Sequence, residues 1–145
     1  MKKIIIINGP NLNLLGNRET DIYGKITLAE IERLSKNKAN ELNLSLSFYQ
    51  SNSESDIIDQ IHIAQTDFDG LIINPAAFTH TSVALLDALK AISKPKIEIH
   101  LSNIYNREDY RKKSITSEGV NGLICGFGSL GYILAIEAID NLTKI

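Results

Sequence analysis

A glutamate and a histidine stand two positions apart in the stretch IEIH, a spacing suited to acid–base chemistry. Alternate side chains of a β-strand share a face, so Glu98 and His100 would lie on one side, about 6–7 Å apart. A carboxylate beside an imidazole favours the charged imidazolium, which is the better general acid near neutral pH. The alternative is a strand end at which His100 is merely exposed to solvent. The flanking polar loops favour the acid.

The early stretch NGPNLNLLGNRETDIYG, residues 8–24, holds a second possible pair, Arg18 and Tyr23. It is a long polar loop with no obvious core pattern, and loops of this length are usually functional or disordered. Tyrosine has a pKa of about 10, and a neighbouring guanidinium would help it to act as a base by stabilising phenolate. Gly16 and Gly24 bracket the pair and are candidate hinges of a lid. The alternative is that Tyr23 packs under the loop and Arg18 is solvated.

The stretch NPAAFTHTS, residues 74–82, is typical of a strand-to-helix turn. Thr81 or Ser82 can cap the helix that follows, and exposed amides there could hold hydroxyl or carboxylate oxygens. His80, one step earlier, has no such structural explanation. Asp87 falls within an apolar helix, so we expect it to face solvent, a ligand or another subunit, because burying it unpaired would be costly.

GFGSLG, residues 126–131, fits the pattern G-x-G-x-x-G of dinucleotide-binding sites. It follows a predicted strand and opens a helix, but too little chain follows for a second strand and a ribose-binding acid. Tight packing of the last helix on the sheet is the preferred explanation of these glycines. A metal site is not expected either, because His62, His80 and His100 are scattered and Cys125 lies in a strand.

The composition is that of an ordinary globular protein, with 43% hydrophobic and 22% charged residues in 145. The net charge of -2 gives no basic surface for nucleic acid or an anionic membrane. One cysteine suits a reducing compartment. The apolar run 4–7 is too short for a signal peptide, and no stretch approaches the roughly 20 apolar residues of a membrane span. These features predict a cytoplasmic protein with one domain over residues 1–145.

Apolar, β-branched segments alternate with helical patterns along the chain. The predicted strands are residues 3–7, 44–50, 70–74, 96–100 and 122–126, with 44–50 at an edge. The predicted helices run from a cap at Thr27 to about residue 43, from Ser53 or Ser55 through Ala64, over 82–92 and over 130–142.

This alternation predicts an α/β fold, a three-layer sandwich around a five-stranded parallel sheet. Ligands of such folds bind beyond the carboxyl ends of the strands. In a flavodoxin-like order, 2-1-3-4-5, the loops after Asn8, Asn74 and His100 would converge on one rim. These loops carry most of the candidate residues.

The stretches NGPNLNLLGNRETDIYG, QSNSES, NPAAFTHTS, EIHLSNIYNREDYRKKS and ICGFGSLGY together resemble type II 3-dehydroquinate dehydratase over nearly the whole chain. The resemblance implies a lyase that dehydrates 3-dehydroquinate to 3-dehydroshikimate by anti elimination through an enolate, in the shikimate pathway. It also implies a homododecamer of four trimers and no metal or organic cofactor. A nucleotide- or flavin-binding flavodoxin-like module is the alternative, and an inactive assembly protein is a third possibility.

The resemblance also implies roles for individual residues. Tyr23 would be the base, with Arg18 favouring its phenolate, and Asn11 would stabilise the enolate through an ordered water. His100, positioned and kept charged by Glu98, would protonate the departing hydroxyl.

The remaining implied site residues would hold the substrate's hydroxyl and carboxylate groups. They are Asn74, His80, Ser102, the backbone of Leu101 and, on the far side, Arg111, with Asp87 reaching the site of a neighbouring subunit.

The chain departs from the family's usual pattern in three places. Ser53, Glu54 and Ser55 stand where the family more often has H-E-G, and Ala76 stands where it more often has glycine. Leu86 replaces a frequent arginine.

Overall fold

The computed structural model describes residues 1–17 and 19–144, and its five strands form one parallel sheet. The strand order is β2-β1-β3-β4-β5, which confirms the predicted flavodoxin-like order and the edge position of the second strand. The strands are β1 Lys2–Asn8, β2 Leu44–Gln50, β3 Gly70–Asn74, β4 Lys96–His100 and β5 Gly122–Cys125.

The register of the sheet brings the polar strand ends together. Asn8 pairs with Asn74 across β1 and β3, and Ile73 pairs with Glu98 across β3 and β4. His100 therefore lies slightly beyond the end of β3 at the same edge. Backbone pairing alone thus places the loops after Asn8, Asn74 and His100 side by side.

Five α-helices accompany the sheet in the described part of the chain, and three of them begin at the caps that the sequence predicts. The helices are α1 Thr20–Tyr23, α2 Leu28–Glu41, α3 Glu54–Asp67, α4 Val83–Ala91 and α5 Leu130–Thr143. The hydroxyls of Thr27, Ser53 and Ser82 accept from the backbone amide three residues ahead of each. Of the alternatives left open, Ser53 rather than Ser55 and Ser82 rather than Thr81 are the caps.

The core has two halves, one on each face of the sheet, which makes the three layers predicted from the sequence. Ile4 and Ile6 point to the half that α2 and α5 cover, whereas Ile5 and Ile7 point to the half that α3 and α4 cover. All four side chains are at most 2% exposed. A continuous apolar strand is what a parallel sheet covered on both faces requires.

The stretch after β1 has more structure than its composition indicates. It contains a 3-10 turn at Leu12–Leu14 and the short helix α1. Leu12 and Leu15 are 4% and 1% exposed and belong to the core, so the expectation of no core pattern was wrong. Two leucines three apart in a polar stretch are too weak a signal to separate from solvated loop residues.

The glycines of GFGSLG are explained differently from the expectation. Gly126 and Gly128 have φ values of 97° and 59°, in the left-handed region that favours glycine. A Cβ on Gly131 would lie 3.8 Å from Ile124, an ordinary contact, so packing of α5 on the sheet does not demand glycine there. The turn between β5 and α5, rather than close helix packing, requires the first two glycines.

Further 3-10 turns lie in the loops after β3 and β4. They are Ala76–His80, Ile104–Asn106, Asp109–Arg111 and Thr116–Gly119. Within the described residues, no helix combines the length and apolar character needed to cross a membrane.

Candidate active site

The loops that follow β1, β3 and β4 enclose a pocket of about 90 Å³ that is open to solvent. Most of the residues predicted from the sequence line it, together with Arg107, which the sequence reasoning did not single out. The predicted residues in its wall are Asn11, Tyr23, Asn74, His80, His100, Leu101, Ser102 and Arg111. The expected convergence of three loops on one rim is therefore present.

Glu98 and His100 form the contact that their spacing indicates. Nε2 of His100 lies 2.8 Å from Oε2 of Glu98, and the two side chains are 6% and 0% exposed. Glu98 lies behind the imidazole rather than in the pocket wall. The carboxylate is thus placed to orient the ring, while the ring faces the pocket.

Two hydroxyl groups complete the surroundings of Glu98. Ser114 Oγ donates to Oε2 at 2.8 Å, and the hydroxyl of Thr116 donates to Oε1. Burying a carboxylate without partners would be strongly unfavourable, and these donors offset that loss of hydration. Neither residue was singled out from the sequence, because serine and threonine in a polar loop give no distinctive signal.

Tyr23 closes α1 and contacts an arginine far away in the chain. Nη1 of Arg107 donates to the Tyr23 hydroxyl at 3.1 Å, and its Cζ lies 5.3 Å from the centre of the phenol ring. The same Nη1 donates to Ser102 Oγ at 3.1 Å. A guanidinium, that of Arg107, thus meets Tyr23. Arg18, the residue expected from the sequence, lies outside the described residues.

Asn11 enters the pocket from a strained backbone position. Its φ is 68°, in the left-handed region that asparagine tolerates better than most residues, and its amide donates to Asn52 Oδ1 at 3.0 Å. Gln50 donates to the same Oδ1 and to the Gly9 carbonyl, each at 3.1 Å. The loop after β2 thus holds the loop after β1 in place.

The Asn74 side chain is 3% exposed at the base of the pocket. Its Oδ1 accepts from the Ala76 amide at 3.2 Å, and its own carbonyl accepts from Gly9 N at 2.8 Å. Ala76 has a φ of 53°, again in the left-handed region. Glycine adopts this region without the steric cost of a Cβ, so alanine at this position is strained.

His80 is half-buried and has a defined tautomer. Nδ1 lies 2.8 Å from the Lys113 carbonyl, which can only accept, so Nδ1 carries the proton. Burial lowers the pKa of His80 and outweighs the hydrogen bond to Lys113, which acts in the opposite direction. The neutral ring then keeps a lone pair on Nε2, an acceptor for a ligand hydroxyl.

Arg111 and Asp87 were both predicted to bind the substrate, but only Arg111 lies in the pocket of its own chain. Arg111 lines the pocket, and its Nε lies 3.0 Å from Oε2 of Glu108. Asp87 is exposed on α4, as its place in an apolar helix indicates, and is not part of the pocket wall in its own chain. Its proposed reach into a neighbouring subunit stays a prediction.

The pocket combines the groups that a proton-transfer reaction needs. A tyrosine hydroxyl lies against a guanidinium, an imidazole is backed by a buried carboxylate, and amide and hydroxyl groups surround them. Such a set can remove one proton and deliver another to a single polar ligand. Among residues 1–17 and 19–144, no three His, Cys, Asp or Glu side chains are grouped so that they could hold a metal ion.

Comparisons with known proteins agree on one family. A family model described as dehydroquinase class II matches residues 2–140. A 3-dehydroquinate dehydratase of Thermoanaerobacter pseudethanolicus is 51% identical over 142 residues, which is 98% of this chain and 96% of that protein. A type II dehydroquinase structure from Butyrivibrio crossotus is similar with a TM-score of 0.94 and 44% identity, covering 96% of this chain and 97% of that one. A second, from Propionibacterium acnes, has a TM-score of 0.94 and 40% identity, and covers 97% of both chains.

Proposed function

We propose that this chain, which belongs to the class II dehydroquinase family, dehydrates 3-dehydroquinate to 3-dehydroshikimate in the shikimate pathway. The observation that carries the proposal is one pocket that holds both a tyrosine against a guanidinium and a histidine against a buried glutamate. A family match over residues 2–140 supports the same reaction. A nucleotide- or flavin-binding module is not favoured, because the whole chain resembles dehydratases and two glycines of GFGSLG serve a turn.

The reaction begins with removal of the proton on C2, beside the ketone. We assign the base to Tyr23, whose oxygen would take this proton as a phenolate. Arg107 donates to that oxygen, so its positive charge stabilises the phenolate through a hydrogen bond and by Coulomb attraction. Arg18 stays in the proposal as a second such cation on the basis of the resemblance alone.

Loss of the C2 proton moves negative charge onto the ketone oxygen as an enolate. We assign its stabilisation to Asn11, acting through an ordered water. The Asn11 backbone is held by Asn52, so the amide side chain starts from a fixed point. A preorganised donor stabilises developing charge without having to reorganise during the reaction.

The second half of the elimination expels the C1 hydroxyl from the face opposite the lost proton. We assign protonation of this hydroxyl to His100. The imidazole gives up one proton, and the hydroxyl departs as water. Glu98 holds Nε2 of the ring at 2.8 Å and balances the positive charge that the imidazole carries before transfer. Phenol and imidazole thus exchange one proton each with the substrate.

The remaining residues of the pocket wall would hold the ring in place. Asn74, His80, Ser102 and the backbone of Leu101 would bind hydroxyl and carboxylate oxygens, and Arg111 would add a positive charge on the far side. The Nε2 lone pair of His80 suits a hydroxyl rather than a carboxylate, because two acceptors would repel each other.

We further propose a homododecamer of four trimers in which Asp87 reaches the site of a neighbouring subunit. The exposed position of Asp87 on α4 supports this role, since its carboxylate is accessible to another copy. A cytoplasmic location is proposed as well, on the ground that the single cysteine suits a reducing compartment.

The test is an absorbance assay with purified protein and 3-dehydroquinate. Dehydration produces a conjugated enone, so ultraviolet absorbance should rise with time and in proportion to protein concentration. Purified protein that gives no rise contradicts the proposed reaction, and it leaves the inactive assembly protein as the better account. Binding of FMN or NAD in a calorimeter would instead support the alternative module.

A further inference from the structure

We propose that Tyr132 is a positioning residue that fixes the orientation of the Asn74 amide in the pocket, an inference that rests on the proposed function. Tyr132 lies on α5, is 0% exposed and does not line the pocket. Its hydroxyl donates to Asn8 Oδ1 at 2.7 Å and accepts from Asn74 Nδ2 at 3.1 Å. It thus links the last residue of β1 to the last residue of β3.

Asn8, Tyr132 and Asn74 form a hydrogen-bonded relay, and the roles of donor and acceptor in it are fixed at the Asn8 end. Asn8 Nδ2 donates to the Tyr49 carbonyl at 3.0 Å, and a carbonyl can only accept. Asn8 therefore presents Oδ1, an acceptor, to Tyr132, and the single phenolic proton is used there. Burial raises the pKa of Tyr132, so this proton is retained. The hydroxyl can then only accept from Asn74, so the Asn74 side chain must turn an N–H toward it.

The other end of the relay imposes the same orientation. The backbone amide of Ala76 donates to Asn74 Oδ1 at 3.2 Å and has no capacity to accept. A flipped Asn74 would set Nδ2 against this amide and Oδ1 against a hydroxyl whose proton is already committed. Each flipped contact would leave buried polar groups unpaired. The second N–H of Asn74 is therefore the group that the side chain offers to a substrate oxygen.

The ring of Tyr132 and its hydroxyl have separable tasks. The ring is part of the core, with its centre 6.3 Å from that of Phe48. Phenylalanine at position 132 would keep that packing and remove only the relay. Without the hydroxyl, the Asn74 amide is held on one side alone, so substrate binding should weaken while proton transfer by Tyr23 and His100 continues.

The experiment is a double-mutant cycle on 3-dehydroquinate turnover, with wild type, Tyr132→Phe, Asn74→Ala and the double variant. We expect Tyr132→Phe to raise KM about tenfold with kcat within about twofold, as loss of an interaction that binds substrate and transition state equally does. In the Asn74→Ala background, the same substitution should change kcat/KM by less than about twofold. A Tyr132→Phe effect of equal size in both backgrounds, or an unchanged KM, overturns the inference.

Phe48→Leu is the matched control, because it disturbs the packing around the Tyr132 ring and removes no hydrogen bond. It should lower the melting temperature and leave KM near that of wild type. Should Tyr132→Phe fail to fold, Asn8→Ala tests the relay from its far end, since the phenolic proton then loses its acceptor. KM should again rise, and a normal KM in folded Asn8→Ala overturns the inference. Inactive wild type would contradict the proposed function instead.

Discussion

Nη1 of Arg107 lies 3.1 Å from the hydroxyl oxygen of Tyr23, across 84 positions of sequence. The Arg107 side chain is only 10% exposed, so its charge acts in a partly desolvated place where electrostatic interactions are stronger than in water. The contact joins the loop after β4 to the short helix α1. It therefore links Tyr23, the proposed base, to Ser102, which accepts from the same nitrogen.

Replacement of Arg107 should slow the reaction more than it weakens substrate binding. Hydrogen bonds to charged groups are worth about 1.5–3 kcal/mol, so Arg107→Gln should lower kcat by about 10- to 150-fold. Arg107→Lys should lie between this variant and wild type, because it keeps the charge without the planar donors. Steady-state kinetics of the two variants and wild type give kcat and KM. A wild-type kcat in Arg107→Gln would show that the guanidinium does not assist Tyr23.

Glu98→Gln should lower kcat by about a hundredfold, the scale of a general acid that has lost its orienting partner. The NH₂ of the new amide must face one of the donors that now meet the carboxylate. The free energy of unfolding should therefore also fall, by about 1–3 kcal/mol. Thr116→Val is the control, because it removes one donor to Glu98 and keeps the contact with His100. Stability should fall in both variants, but the large loss of kcat should occur only in Glu98→Gln. Equal losses of kcat would assign Glu98 a structural role.

His80 should make the folded protein less stable at acid pH. Its pKa is lowered in the folded state, so the unfolded chain takes up this proton first as the pH falls below about 6.5. Above that pH both states are neutral at this residue and the effect is absent. Urea unfolding of wild type should therefore lose stability with falling pH more steeply than His80→Asn does.

The matched control for the pH experiment is His62→Asn, which removes an exposed histidine on α3 outside the pocket. His80→Asn should differ from this control in its slope below about pH 6.5. Parallel slopes in the two variants would contradict the assignment of a neutral His80.

Ala76→Gly should stabilise the protein. The left-handed region destabilises alanine by about 1–2 kcal/mol, whereas glycine costs about 0.5–1 kcal/mol in chain entropy on folding, so the net gain in stability should be up to about 1.5 kcal/mol. Ala77→Gly, at the next position of the same turn, is the control and should destabilise, because Ala77 does not have a positive φ. Urea midpoints compare the two variants. Destabilisation by both would show that strain at Ala76 is negligible.

The sequence predicts the sheet well because buried parallel strands leave an unmistakable pattern. Residues 44–50, 70–74 and 96–100 were predicted with the bounds that the structure has. Helix caps followed from local hydrogen bonding, which depends on neighbours only three residues away. The pocket was predictable as well, because polar residues follow the strand ends that the fold brings together.

What the sequence could not predict depends on contacts between distant loops. Arg107 lies in a motif that was recognised, but nothing local indicates that it meets Tyr23 rather than solvent. Thr116 reaches Glu98 only once the loop after β4 has folded back over the strand. The relay through Tyr132 joins positions 124 residues apart. Such partners are set by tertiary geometry, and residue type alone gives them no signal.

The most direct test of the central claim compares wild type with Tyr23→Phe in the absorbance assay with 3-dehydroquinate. The change removes one hydroxyl and keeps the ring, so circular dichroism should show the same fold. Wild type should produce the enone, and Tyr23→Phe should be slower by at least about a hundredfold, as loss of a general base predicts. Equal rates in the two proteins, or no enone from wild type, would contradict the account.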